Sequence, residues 1–369
     1  MYLRTVFDRA PRRVYWEVTR ACDLVCRHCR AEAVSRRHPA ELSTTEGVEL
    51  LERLAAFGSP LPQVVLTGGD PLKRADLFTL IEAARVLGFG VSVAPSATPL
   101  VTPESIGRLK AVGVEAISLS IDGATAEQHD ALRGASGTFE RTIATAHAAA
   151  ALGLRFQINT LVSEETLVDL PAIHRLVADL GAARWSLFFL VPVGRGVLLR
   201  PISPDACERL LHWLADLALH GGPVVTTTEA PHFRRVVSAR KRDAARLAKF
   251  HPRHASGHGA GIRDGNGIMF ISHTGKVQPS GFLPLVAGNV RTEDPVAIYR
   301  ESAIFCALRQ ADRFGGRCGR CEYRWECGGS RARAYAASGD PLGEDPLCRY
   351  EPGPSPGGLQ SRGGDGGTC

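Results

Sequence analysis

The chain has 369 residues, 44% hydrophobic and 22% charged, enough to bury a large core and to hold one big domain with an accessory one. Its formal charge of +6 is too dilute over this length to mark a nucleic-acid binder, and no recognition motif for nucleic acid is present. The start "MYLRTVFDRAPRR" has no apolar signal core, and the run "SLFFLVPV" is far short of the roughly 20 residues that span a bilayer, so a cytoplasmic protein without a membrane partner is expected.

After a short arm (1–13), β-rich runs stand at "YWEVT" (15–19), "QVVLT" (63–67), "VSVAP" (91–95), "AISLSI" (116–121), "FQINTL" (156–161) and "WSLFFLV" (185–191). Between them, "TTEGVELLERLAAF", "RADLFTLIEAARVLG", "TPESIGRLKAVG" and "FERTIATAHAAAALG" carry apolar residues at helical spacing with Gly stops. This alternation predicts an α/β fold of consecutive βα units, a partial (β/α)6 TIM-like barrel over 14–230 with its chemistry at the C-terminal ends of the strands. A doubly wound open sheet has the same periodicity.

From 231 to 262 the rhythm breaks into a basic and then His/Gly-rich stretch, the pattern of a helix followed by a linker or lid. Eight Lys/Arg between Arg234 and Arg253 face a single acid, Asp243, so the segment either draws carboxylates toward the barrel mouth or is a solvated helix with no partner. His251, His254 and His258 could ligate a metal, although loop histidines usually do not. "GIMFISHTGKVQPSG" then reads as a β-hairpin turning at Thr274-Gly275, at the start of a small cysteine-rich domain over 263–350. The Pro/Gly-rich tail, 351–369, reads as disordered.

Ten cysteines, bunched rather than spread, speak for metal or redox chemistry in a reducing compartment more than for a disulfide scaffold. Three of them, Cys22, Cys26 and Cys29 in "TRACDLVCRHCR", directly follow the first strand. A closed zinc site wants four ligands, usually as two separated pairs, and the nearest fourth candidate here is His28. A [4Fe–4S] cube held by three thiolates leaves one iron open to a substrate or cofactor.

The C-x3-C-x2-C spacing, with an aromatic residue (His28) before the last cysteine, resembles the signature of the radical S-adenosylmethionine (SAM) superfamily. That resemblance implies SAM chelated on the open iron and its one-electron cleavage to a 5′-deoxyadenosyl radical, an oxidant able to take hydrogen from an unactivated carbon. "LTGGDPL" resembles the family's GGE motif, with Gly68 and Gly69 letting the backbone approach the methionyl amino group and Asp70 in place of the usual Glu. "PSATP" falls where relatives have Ser-Thr-Asn-Gly, so Ser96 could serve SAM while Ala97 replaces the Asn. "SLSIDGATAEQHDALRG" is similar to the family's S-x-D-G…R-G pattern, which implies that Ser120 and Asp122 flank SAM and that Arg133 pairs with its carboxylate. Asn159 in "QINT" matches a ribose contact. Taken without the cysteines, these same residues read as strand-to-helix turns and a solvated arginine. The resemblance covers residues 12–195, and none of them is assigned as a catalytic acid or base.

A second group, Cys318, Cys321, Cys327 and Cys348, runs C-x2-C-x5-C with a distant fourth, so its ligand count closes. On spacing alone a zinc knuckle is a serious rival. Beside a radical SAM core the region resembles a SPASM/Twitch extension, which implies an auxiliary [4Fe–4S] cluster on these four thiolates. Full SPASM domains carry two such clusters, but Ser280 and Arg331 stand where further cysteines belong, so one is expected, suited to electron transfer. Cys207 and Cys306 fall in amphipathic helices and read as core residues, and Cys369 has no claim.

The string "CEYR…CGGSRARAYA" resembles the haem-biosynthesis branch of radical SAM enzymes. That implies hydrogen abstraction from a carboxylate-bearing small molecule such as a porphyrin side chain, by oxidative decarboxylation or a related reaction, with flavodoxin or ferredoxin as electron donor. Sugar-type intermediates share the architecture. So do peptide maturases, and a zinc-stapled, non-radical binding protein is the reading outside the family.

Overall fold

In the computed structural model, which describes residues 6–246 and 261–353, strands and helices alternate along the chain. The order is β1 (Arg13–Thr19), α1 (Thr44–Ala55), β2 (Gln63–Gly68), α2 (Leu77–Val86), β3 (Val91–Val93), α3 (Pro103–Ala111) and β4 (Ala116–Ser120). It continues with α4 (Ala126–Arg133), α5 (Thr138–Ala151), β5 (Arg155–Val162), α6 (Leu170–Asp179), β6 (Arg184–Phe189), α7 (Pro204–His220) and β7 (Val224–Thr228). The last part is α8 (Phe233–Arg246), β8 (Ile268–Ile271), β9 (Lys276–Gln278), β10 (Gly288–Asn289), α9 (Pro295–Glu301), α10 (Ala303–Arg309), α11 (Gly316–Arg320) and α12 (Arg331–Ser338). Reciprocal capping boxes at Ser43/Glu46, Thr102/Ser105 and Thr125/Gln128 set where α1, α3 and α4 begin.

All the strands join one sheet in the order β10-β9-β8-β1-β2-β3-β4-β5-β6-β7. From β8 to β7 every pairing is parallel. From β1 to β7 the order in space follows the order in sequence, so each right-handed crossover steps the same way and the helices all fall on one face. Within β1 to β7 the strand order does not reverse, which sets this sheet apart from the doubly wound alternative, and β8 to β10 add on the other side of β1. The sheet ends at β7 and β10 without closing, which makes it a partial barrel.

The sheet is longer than the six strands read from sequence. β7 is short, half-exposed and threonine-rich, so it shows no apolar alternation to read. The expected hairpin is present, with Phe270 opposite Gln278, Ile271 opposite Val277, and Gly275 N–H closing the turn on Ser272 O at 2.9 Å. Its first strand, β8, also pairs with β1, Val14 beside Met269, so the hairpin extends the barrel sheet. One apolar core runs from Val14, Trp16 and Trp185 through Val225 into Met269, Tyr299 and Phe305.

The basic helix corrects both of its sequence readings. Phe233, Val236 and Val237 are buried, and Arg234, Arg235, Arg240 and Arg242 turn to protein partners. Arg235 donates to both Glu208 oxygens (2.7 and 2.5 Å), Arg240 pairs with Asp216 (2.6 Å), Arg234 donates to the carbonyls of Glu326 (3.1 Å) and Ile262, and Arg242 reaches the Tyr323 hydroxyl. α8 therefore fastens the cysteine-rich segment to α7. His251, His254, His258, Cys369 and most of the tail lie outside the described residues. Among the described residues no helix is long and apolar enough to cross a membrane.

Candidate active site

The first cysteine group follows β1 at the strand's C-terminal end. Thr19 leaves the strand by donating its hydroxyl to Glu41 (2.7 Å), and the chain then folds over a small apolar pocket in which Cys22 and Cys26 are buried beside Leu24, with Cys29 half-exposed. The Leu24 N–H donates to Cys22 Sγ (3.4 Å), Arg133 Nη1 donates to Cys26 Sγ (3.8 Å), and Ser96 Oγ lies 3.7 Å from Cys22 Sγ. Burial pushes the Cys22 and Cys26 thiols up; at Cys26 the Arg133 charge works against it. Among the described residues no set of three or more His, Cys, Asp and Glu side chains is drawn tightly enough to hold a single metal ion.

After β2 the backbone itself does the positioning. A Cβ on Gly68 would lie 2.2 Å from Thr19 O and one on Gly69 2.4 Å from Ala21 O, so only glycines let this turn close against the cysteine loop. Asp70 is fully buried, with Oδ1 accepting from the Leu72 and Ser96 amides (3.2 and 3.3 Å) and Oδ2 from the Thr98 hydroxyl (2.6 Å). Its carboxylate thus braces the loop after β3. Ser96 completes that tie by donating to Gly69 O (2.7 Å).

Beyond β4, β5 and β6 lies a cavity of about 170 Å³. It brings together Ser120, Asp122, Arg133 and Asn159 with His28 from the cysteine loop. Arg133, in the last turn of α4 before the left-handed Gly134, stands 2.5 Å from Asp122 Oδ2, and Asp122 Oδ1 accepts from the Leu161 amide (2.7 Å). Burial works to raise the Asp122 pKa, but Arg133, His28 and His129 outweigh it and hold the carboxyl below its ordinary value. His28 is pulled down to about 4, first by burial and then by Arg133 and Arg195 against the opposing pull of Asp122, so it is neutral at pH 7. Gly68, Gly69, Asp70 and Ser96 do not line this cavity; they flank the cysteine loop from the other side.

Three residues with no motif to announce them complete the site. Arg195, after β6, donates its Nε to Cys26 O (2.8 Å) and its amide to Cys29 O (3.1 Å), clamping the cysteine loop from the far side of the sheet. His129 accepts the Asp122 amide on Nδ1 (3.1 Å), and Thr98 holds Asp70. The spacing of His129 on α4, behind Asp122, was the one available signal.

The second group is gathered from α11, the loop after it and the segment beyond α12. Cys318, Cys321, Cys327 and Cys348 line one small cavity. Amides two residues on donate to Cys321 (Tyr323, 3.4 Å) and Cys327 (Gly329, 3.4 Å), while Asp345 N–H (3.5 Å) and Arg331 Nη2 (3.6 Å) donate to Cys318. Arg331 is wholly buried; it donates to the carbonyls of Gly329, Pro341 and Gly343 and lies 4.4 Å from the Phe314 ring, with Arg263 on the same ring at 5.2 Å. Cys207 is fully buried beside His232 (3.3 Å), as a core residue would be, whereas Cys306 is half-buried on α10.

A model of the radical SAM superfamily matches residues 16–177. An "AdoMet-dependent heme synthase" of Methanosarcina barkeri is 40% identical over 346 residues, covering 93% of this chain and 98% of that protein. The chain belongs to the radical SAM superfamily. A "Pre-heme d1 synthase" of Dinoroseobacter shibae is 30% identical over 351 residues, 91% of this chain and 85% of that protein, which puts this radical SAM enzyme in the haem-biosynthesis-like branch. SuiB of Streptococcus suis, solved with S-adenosylmethionine, shares the fold at a TM-score of 0.72 with 15% identity, over 93% of this chain and 78% of that one. The zinc-stapled, non-radical reading is thereby overturned.

Membership of the superfamily implies a [4Fe–4S] cluster and SAM, and the first site fits them. Three free thiols share one pocket with N–H and guanidinium donors aimed at sulfur, which favours thiolate. His28 Nδ1, Arg133 Nε and Arg195 Nη2 are buried around it with no hydrogen-bond partner among the described residues, the condition of groups that await a polar ligand. At the second site the buried charges are mostly cationic. Arg331 and Arg263 are buried and make no salt bridge among the described residues, and burial together with the other arginines drags Arg263 down to about 9. Burial raises Cys321 and Cys348 to about 11 and Cys327 higher still. If these cysteines bound a metal as thiolates, they would place negative charge beside the buried arginines, next to that of Asp264.

Proposed function

We propose that this radical SAM enzyme removes a carboxylate from a propionate-type side chain of an iron tetrapyrrole by oxidative decarboxylation, leaving an alkene. The observation that carries the reading is the 40% identity to a heme synthase along almost the full length of both chains. The cavity wall agrees with it, since Phe188, Phe189, Leu190, Val191, Val193 and Phe282 suit a flat apolar body. When bound, the cluster and SAM supply a radical strong enough to take hydrogen from an unactivated carbon.

The chain's own residues do the rest. Cys22, Cys26 and Cys29 would hold the cluster. The carbonyl-rich turn at Gly68 and Gly69, steadied by Asp70 and Ser96, would meet the methionyl amino group, while Ser120, Asp122, Arg133 and Asn159 would orient the carboxylate and ribose ends of SAM. His28, kept neutral by burial, would offer no acidic proton to a radical formed beside it. Loss of a hydrogen atom and then CO2 from a propionate releases one electron, which needs an acceptor. Cys318, Cys321, Cys327 and Cys348, in a segment (263–350) folded onto the barrel core (14–230), would hold an auxiliary [4Fe–4S] cluster suited to carry it. A small flavodoxin or ferredoxin would supply the starting electron. Anaerobic turnover with dithionite, SAM and iron coproporphyrin III tests this by mass spectrometry. The expected product has lost CO2 and two hydrogens per side chain, with equimolar 5′-deoxyadenosine; SAM cleavage over an unchanged porphyrin rejects the proposal.

A further inference from the structure

The geometry points to Arg30 as the anchor of a substrate carboxylate, held in register by Glu17; the inference rests on the tetrapyrrole reading above. Once the residues expected around SAM are set aside, the cavity wall is mostly apolar, with the uncharged His28 and Thr160 as polar groups and one place that carries charge. There Arg30, the residue after the third thiol Cys29, contributes the only charged group on that part of the lining. A guanidinium facing an apolar, aromatic wall selects for a ligand with an apolar body and an anionic end.

Arg30 is fixed on three sides. Its Cζ lies 4.6 Å from the centre of the Phe270 ring on β8. Its Nη1 donates to Glu17 Oε2 at 3.2 Å, and Glu17, buried on β1, is itself tied through Oε1 to His273 Nδ1 at 2.7 Å. The third side is Gly281, where a Cβ would come 2.9 Å from both Cζ and Nε of Arg30, so any other residue there would push the guanidinium away. Its remaining guanidinium N–H groups make no hydrogen bond among the described residues. A fork fixed in this way has lost most of its rotamer freedom before any ligand arrives, which is the condition for a tight bidentate contact. It also fixes the distance between the ligand's acid group and the cysteine loop, because only one peptide bond separates Arg30 from Cys29.

The test compares iron coproporphyrin III with its methyl ester as ligands of the full-length, anaerobically reconstituted protein. Wild type is expected to favour the acid, and Arg30→Gln to lose about tenfold to a hundredfold in affinity for the acid while binding the ester as before. Arg30→Lys, a point charge without the fork, is expected to fall between. Iron content and the SAM-induced change in the cluster spectrum report whether Arg30→Gln still holds its cofactors. If it does not, Gly281→Ala crowds the guanidinium from a separate chain segment while leaving Arg30 and the cysteines in place, and is expected to narrow the preference likewise. A full acid-over-ester preference in these variants overturns the role of Arg30. Failure of wild type to bind either compound overturns the tetrapyrrole reading and the anchor with it.

Discussion

At the scale of single residues, the site is organised by buried charges whose partners are few and specific. Asp122 illustrates it: Arg133 holds its charge, Leu161 caps one oxygen, and His129 accepts its amide. Removing one partner from such a set leaves the other charge desolvated and typically costs 3–5 kcal/mol, whereas exposed pairs such as Arg200 with Glu164 contribute about 0–1. The buried histidines give a pH signature. His129 and His232, almost wholly buried, are both held down to about 4, chiefly by burial. In the unfolded chain they titrate near their ordinary 6.5, so between about 6.5 and 4 the unfolded state binds more protons and stability falls as the pH drops. Each can contribute a slope of up to about 1.4 kcal/mol per pH unit. Asp122 and Asp345, whose pKa values are lowered although burial opposes it, give stability that is lost only at lower pH still, below about 4. Urea midpoints should therefore be level above pH 7 and decline steadily from pH 6.5 to 5, and His129→Gln should make the decline shallower. A midpoint that does not move across that range contradicts the burial of neutral imidazoles.

At the scale of elements, the strand ends carry the chemistry and the turns after them set its spacing. The cysteine loop is pressed between the Gly68-Gly69 turn on one side and Arg195 on the other. Gly69→Ala is expected to force this turn off Ala21 and to cost the iron held by the first cysteine group, while the second group keeps its own; iron and sulfide analysis of the reconstituted variant checks it. An unchanged iron content would mean that the turn is looser than the 2.4 Å approach implies. Much at this scale was readable beforehand. The first six strands, the hairpin at Thr274-Gly275 and the helices after β1 to β4 follow from period and capping, because each carries its own local signal. β7 was not readable, since "VVTTT" lacks alternation and takes its place from pairing with β6. The basic stretch misled for the opposite reason. Its charge pattern looks solvent-facing, yet Glu208, Asp216 and the carbonyls that receive its arginines are distant in sequence or carry no sequence signal. Arg30, Arg195 and Arg331 were hidden in the same way, as isolated arginines whose roles arise only when β8, β6 and the segment after α12 come together.

At the scale of the whole molecule, the barrel and the cysteine-rich segment are not separate weights on a string. β8 pairs with β1, α8 fastens Glu326 and Tyr323 through Arg234 and Arg242, and one apolar core crosses from the strands into α9 and α10. Electron exchange between two cysteine groups needs this kind of fixed relation. The central claim is that the loop after β1 holds an iron–sulfur cluster with one corner left to SAM, independently of the second group. It is tested most directly by electron paramagnetic resonance of reduced, reconstituted Cys327→Ala, in which only the first group is intact. The account predicts a [4Fe–4S]⁺ signal that changes when SAM is added, with SAM cleavage retained, whereas Cys26→Ala, with only the second group intact, shows neither a response to SAM nor SAM cleavage. A Cys327→Ala protein with no such signal, or with one that ignores SAM, would contradict it.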